Sequence, residues 1–283
     1  MVIMNKLAPA KRRAVVRCLT EGCSIRATVR MTGVAKNTIA KLLCDLGQAC
    51  SDYQDRMLRN LSCERLQLDE IWSFVYAKAK NVPADKAGQF GVGDVWTWTA
   101  IDADTKLVPS WLVGTRDGST AFEFVSDLES RLSHRVQLTS DGHSAYLRAV
   151  ENAFGQNVDY AMLVKIYGGG GGLPETRYSP GECIGCAKQR MIGNPDPDHI
   201  STSYAERANL TMRMSMRRFT RLTNAFSKKI ENHVHALSLY FMWYNFGRIH
   251  QTLRCTPAMR SGVADHVWSI EEVVGLLETA QSN

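Results

Sequence analysis

The chain has 283 residues, 45% hydrophobic and 22% charged, which supplies a sizeable core and excludes a disordered chain; the length argues for about two domains. The net charge of +6 is uneven: residues 1–60 hold eleven Lys and Arg against four Asp and Glu, and the remainder holds 23 against 24. A surplus confined to the first fifth points to a polyanion-binding module joined to something else.

Lys6, Lys11, Arg12 and Arg13 interrupt any signal-peptide core, and the most apolar stretch, 235–246, is too short to span a bilayer, so a cytoplasmic chain without membrane contact is expected. In that compartment the eight cysteines are reduced thiols. Cys183-Ile-Gly-Cys186 is a lone pair without the second pair that a zinc site needs, and Cys18 and Cys44 read as small core residues.

Residues 8–20 carry Val15, Cys18 and Leu19 among basic side chains, the spacing of a short amphipathic helix. The stretch SIRATVRMTGVAKNTIAKLLCDLG then offers Ser24 as an N-cap, Thr32-Gly33 as a turn, and a helix over 36–46 with Ile39, Leu42 and Leu43 on one face. The pattern fits a helix-turn-helix and also a helical hairpin with a solvated basic face; the local charge surplus favours the first. A helix-turn-helix here presents Lys36, Asn37, Thr38 and Lys41 to a major groove and its flanking phosphates. Residues 1–50 are thus expected to form a small all-α helix-turn-helix domain, followed by a linking helix over 51–64.

Next, LQLDEIWSFVY at 66–76 reads as a buried strand around Asp69. A polar connection over 78–93, a strand at 95–101, turn chemistry at 102–106 and a return at 107–114 make a three-stranded antiparallel meander. Helical spacing over 119–132, a short strand at 136–139 running into Asp141, a helix over 144–153 and a strand at 158–166 follow. This β-β-β-α-β-α-β order is that of an α/β, ribonuclease-H-like mixed sheet flanked by helices, with the first strand central, over 65–250. Trp72, Trp96, Trp98 and Trp111 read as its core. The five glycines at 168–172 lack the Lys-Ser/Thr ending of a phosphate loop and read as a hinge. With Pro174, Pro180, Pro195 and Pro197, the stretch 168–200 is expected to be a long irregular loop, and 251–283 a C-terminal extension.

Three acids stand out by context. Asp69 lies near a strand centre, Asp141 at a strand end before Gly142, and Glu206 in a late, basic helix. Crowded, desolvated carboxylates cost free energy unless a divalent cation neutralises them, and hard oxygen ligands suit magnesium or manganese. The pattern therefore points to metal-dependent phosphoryl transfer. Between Glu206 and Glu231 there are seven basic residues and no acid, among them Arg207, Arg213, Arg217, Arg218 and Arg221. Arg213, two turns beyond Glu206, is expected on the metal-facing stripe gripping a phosphate, with Arg217 and Arg218 extending a basic track. Leu210, Met214 and Met216 are the core positions of an ordinary amphipathic reading of the same helix. His143, two residues after Asp141, is a further candidate for phosphate contact. His233 and His235 cannot share a helix face.

The segments LDEIW, RVQLTSDGHSAY, HISTSYAERANLTMRMSMRRFTRLTNAFSKK and YNFGRIHQTLRCTPAM resemble DDE transposases of the insertion-sequence-one family, over essentially the whole chain. The resemblance implies Asp69, Asp141 and Glu206 as catalytic and metal-binding triad, magnesium as cofactor, and two-metal-ion cleavage and strand transfer. It further implies double-stranded DNA partners (the element's terminal inverted repeats and a target), a homo-oligomer of at least two copies for synapsis, and a bacterial, nucleoid-associated location. The chain departs from the family pattern in lacking the paired cysteines of an N-terminal zinc ribbon and in running as one continuous frame. Two rival readings are a non-catalytic helix-turn-helix regulator and a metal-dependent nuclease that cuts without joining.

Overall fold

The computed structural model describes residues 7–168, 183–220 and 224–279. Three helices come first: α1 (Pro9–Thr20), opened by a proline in its first turn, α2 (Ile25–Thr32) and α3 (Lys36–Met57). Ser24 caps α2 by accepting from the Ala27 N–H at 3.1 Å, and Gly33 ends it in the left-handed region at φ 67. Residues 58–64 are not helical; the expected helix over 36–46 and the first half of the linking helix expected over 51–64 are one continuous 22-residue helix that ends at Met57. Its periodic Leu42, Leu43, Leu46, Ala49 and Cys50 stay on one buried stripe, so nothing in the apolar pattern stops it.

Six strands form one mixed sheet: β1 (Arg65–Val75), β2 (Gly93–Asp102), β3 (Trp111–Gly114), β4 (Val136–Asp141), β5 (Val158–Tyr167) and β6 (Cys183–Ile192), in the order β3-β2-β1-β4-β5-β6. β2 pairs antiparallel with β1, β4 pairs parallel with β1 and β5, and β6 closes the edge antiparallel to β5. The order is compatible with a ribonuclease-H-like fold. β3 is shorter than the return expected from 107 onward. The Asn245 side chain occupies that backbone instead, accepting from the Val108 N–H at 3.0 Å and donating to its carbonyl at 2.9 Å.

Helices α4 (Gly118–Ser130) and α5 (Ala145–Phe154) cover one face of the sheet, with Trp98 packed against Phe124 and Tyr146 at ring separations of 6.2 and 5.2 Å. The other face meets α6 (Ser203–Ser215) and α7 (Ile230–Met242), the latter passing into a π-helical turn over Trp243–Gly247. Phe241 stacks there on Trp111 at 5.3 Å. Short α8 (Pro257–Arg260) and α9 (Ile270–Thr279) complete the chain.

The N-terminal helices share a core with the rest. α3 lies along α7 so closely that a Cβ on Gly47 would come within 2.4 Å of the His235 Cβ, and Gln54 donates to the Ser238 carbonyl at 3.1 Å. α9 packs on α1 and α3, so the expected C-terminal extension is part of this core.

Several expectations are corrected. Strand β6 occupies part of the expected irregular loop over 168–200. It is a mostly exposed edge held by main-chain pairing, so its sequence carries no apolar alternation. The five-glycine run lies outside the described residues from 169 onward. Of the four tryptophans expected in the sheet core only Trp98 is fully buried; Trp72, Trp96 and Trp111 are half-buried. Cys18 and Cys44 are half-buried, and Cys50 and Cys63 are the core cysteines. No helix among the described residues is long and apolar enough to cross a membrane.

Candidate active site

Parallel pairing sets Leu68 opposite Ser140, so the next residue on each strand, Asp69 and Asp141, are neighbours across β1 and β4. β4 ends at Asp141, which frees its carboxylate from further strand neighbours. Glu70 joins them: one oxygen from each of Asp69, Glu70 and Asp141 lies within 4.8 Å of the others. Asp69 is held at both oxygens, one accepting from the Glu70 N–H and the other from the Asn209 side-chain amide, each at 2.8 Å. Asp141 accepts from the His143 N–H at 2.9 Å. Glu70 is buried on the α4/α5 face, bound by Arg116 at 2.6 Å and by the Tyr146 hydroxyl at 3.0 Å.

The electrostatics follow from that crowding. Burial, then the charges of Glu70 and Asp141, push the Asp69 carboxyl up to about 7. Burial and the Asp141 charge also raise Glu70, against the pull of Arg116. Without a cation Asp69 is therefore only partly ionised near neutrality, and a divalent ion would relieve the same crowding by neutralising charge. Three hard oxygen donors on two adjacent strands suit magnesium or manganese.

Glu206 lies on α6 outside the three-carboxylate cluster. One of its oxygens pairs with the Lys165 ammonium of β5 at 2.6 Å and the other accepts from the Thr202 hydroxyl at 2.6 Å. Its charge nevertheless contributes to the raised Asp69 carboxyl, so it stands within electrostatic reach. The stripe of α6 that faces the sheet is Ala205, Asn209 and Met212, and Asn209 touches Asp69 directly. Asn209 escaped the sequence reading; its signal was its position three residues beyond Glu206, one turn along the same helix.

The basic track is broken. α6 ends at Ser215 because Met216 is extended (φ −128, ψ 111), and Arg217–Phe219 form a separate 3-10 turn. Leu210 and Met214 are exposed rather than core, while Met216 is buried. Arg207 and Arg217 are exposed and Arg213 is half-buried. Arg218 turns inward, donating to the Ser227 hydroxyl at 2.8 Å, and burial lowers it to about 10. It is thereby unsuited to the outward phosphate contact expected of it. Arg221 lies outside the described residues. His233 is fully buried beside Ser73 at 3.3 Å, and burial together with the nearby Arg218 charge lowers it to about 3, so it stays neutral.

On the N-terminal helices Lys36, Asn37, Thr38 and Lys41 are all exposed at the start of α3. Lys41 is paired with Asp45 at 2.7 Å, which reduces what it offers to a phosphate. His143 is half-buried and stacks on Trp98 at 5.7 Å. The sequence reading also missed Glu70 and the Arg116 bound to it; the Asp-Glu pair was a visible signal for the first, and no local pattern marks the arginine.

No family model and no curated protein matches the chain. Among solved structures it is similar to the piggyBac transposase in its synaptic complex with hairpin DNA, at 8% identity and a TM-score of 0.43, over 97% of this chain and 72% of that one. It is also similar to the Mos1 mariner paired-end complex with manganese, at 11% identity and a TM-score of 0.27, over 84% of this chain and 76% of that one. Both neighbours are transposases.

Proposed function

We propose that the chain is a DDE-type DNA transposase of the insertion-sequence-one family, binding terminal inverted repeats and catalysing strand cleavage and strand transfer. The observation that carries this reading is the meeting of the Asp69, Glu70 and Asp141 carboxylates within 4.8 Å across two parallel strands. A regulator that only bound DNA would have no use for such a cluster, which costs stability whenever it is ionised and empty.

In this reading Asp69 and Asp141 would hold magnesium, with Glu206, which pairs with Lys165 in this structure, as the third carboxylate. The bound cation supplies charge stabilisation to the phosphate oxygens in an in-line displacement. The chain's own residues do the rest. Asn209 keeps the Asp69 carboxylate turned toward the cluster. Arg207 and Arg213 grip the flanking strand, while Lys36, Asn37 and Thr38 read the element end from an N-terminal helix-turn-helix. Two or more copies bring two ends together. A second reading takes Glu70 as the third ligand, and its distance from Asp69 and Asp141 favours it. Manganese titration separates the two, since Glu206→Gln or Glu70→Gln, whichever removes the ligand, loses the larger share of affinity.

The deciding experiment incubates the chain with magnesium and DNA carrying the flanking repeats. The expected products are free 3′-hydroxyl ends and joined strands, both abolished in Asp141→Asn. Cutting without joining would make the protein a nuclease, and binding without cutting a regulator.

A further inference from the structure

The cleft between the first turns of α4 and α5, about 440 Å³ in volume, takes no part in the proposed chemistry. Arg116, Asp117, Gly118, His143, Ser144 and Arg148 line it. Clefts of that size are typical of small-ligand sites, and this one has room for a sugar as well as a phosphate.

Its lining is built for an anion. Arg116 uses Nε and one Nη toward Glu70, at 2.7 and 2.6 Å, and lies 4.8 Å over the Trp96 ring, yet its side chain remains 42% exposed. The guanidinium is thus fixed in place with donors to spare. Arg148, one turn into α5, is exposed and has no ion-pair or hydrogen-bond partner among the described residues. Ser144 makes no side-chain cap; in the first turn of α5 the Tyr146 and Leu147 N–H groups donate only to the His143 and Ser144 carbonyls, at 3.2 and 3.3 Å, so no acidic group sits at this positive helix end. The one acid at the rim, Asp117, is committed to its own helix: one oxygen accepts from the Thr120 N–H at 3.0 Å and the other from the Thr115 hydroxyl.

The cleft also adjoins the acid cluster. His143 links it to Asp141 and Arg116 links it to Glu70. We propose that this cleft is a phosphodiester-binding subsite, in which Arg116 and Arg148 hold a backbone phosphate of the DNA strand whose neighbouring bond is presented to the carboxylates. The assignment rests on the proposed function only in taking DNA as the ligand.

The test is binding of a labelled duplex carrying the flanking repeats to the full chain, without divalent metal, across a series of salt concentrations. Arg148→Ala is expected to weaken binding about tenfold and to lower the salt slope by about one unit, while Arg148→Lys keeps the slope. Its melting temperature should stay that of the wild type, because Arg148 supports no contact in the fold. Single-turnover cleavage with magnesium is measured separately. If the wild type binds and Arg148→Ala matches it in affinity and slope, the subsite is wrong and the transposase reading is untouched. If the slope falls in the variant but the wild type never cuts, the subsite stands without the catalysis. Should the wild type fail to bind DNA at all, both fall.

Discussion

Replacing Asp69 with Asn should stabilise the metal-free protein, and more so at high pH. The carboxyl is raised from its ordinary 3.8 to about 7 by burial and by Glu70 and Asp141. A group raised in the folded state favours folding fully below its unfolded value, and that advantage is lost as pH rises through the folded value. Three units correspond to a ceiling of about 4 kcal/mol between pH 4 and pH 8. Asp69 is half-buried, and solvent reaching it reduces the expected gain to about 2 kcal/mol at pH 8. The hydrogen bonds survive the change. The Glu70 N–H can still donate to the new amide oxygen. Asn209, whose Oδ1 is buried without a partner, can flip to accept from the new amide nitrogen in place of donating to Asp69. Urea unfolding of both proteins at pH 5 and pH 8 reads the difference directly. A change in stability equal at the two pH values would refute the reasoning, since it would mean that Asp69 is neither desolvated nor crowded.

Magnesium should raise the melting temperature little at pH 5.5 and progressively more through pH 7, because the cation competes with the proton on Asp69; scanning fluorimetry of the wild type and of Asp141→Asn, which should respond weakly at every pH, checks this. Asn209→Ala removes a 2.8 Å hydrogen bond to a carboxylate and should cost about 2 kcal/mol at pH 8 and less at pH 5, read by the same urea series. Gly47→Ala, although favourable for an isolated helix, should cost about 3 kcal/mol, because the added Cβ meets the His235 backbone and Cβ within 2.7 Å; an unchanged unfolding midpoint would mean that α3 does not dock on α7 as described.

Much of the sheet was legible locally. The β-branched and aromatic residues of 95–101 and the apolar run around Asp69 marked β2 and β1 within a residue or two, because a central strand covered on both faces is written as a nearly continuous apolar run. β6 was illegible for the opposite reason: an exposed edge strand needs only backbone pairing with β5, which any sequence without proline supplies. The end of α6 was missed because Met216 looks like another apolar position of the helix, whereas the fold turns it inward and breaks the helix to do so.

The site divides in the same way. The sequence by itself determined that Asp69 and Asp141 stand on strands and that a basic surplus belongs to the first helices, since these follow from local periodicity and composition. Only the tertiary structure decided which groups meet. Parallel pairing of β1 with β4 joins Asp69 to Asp141, the crossing of α6 brings Asn209 to Asp69 and leaves Glu206 with Lys165, and Arg116 reaches Glu70 across 46 residues. Such contacts depend on strand order and helix crossing, which arise from burying the faces of many elements at once, and no short stretch of chain carries that information.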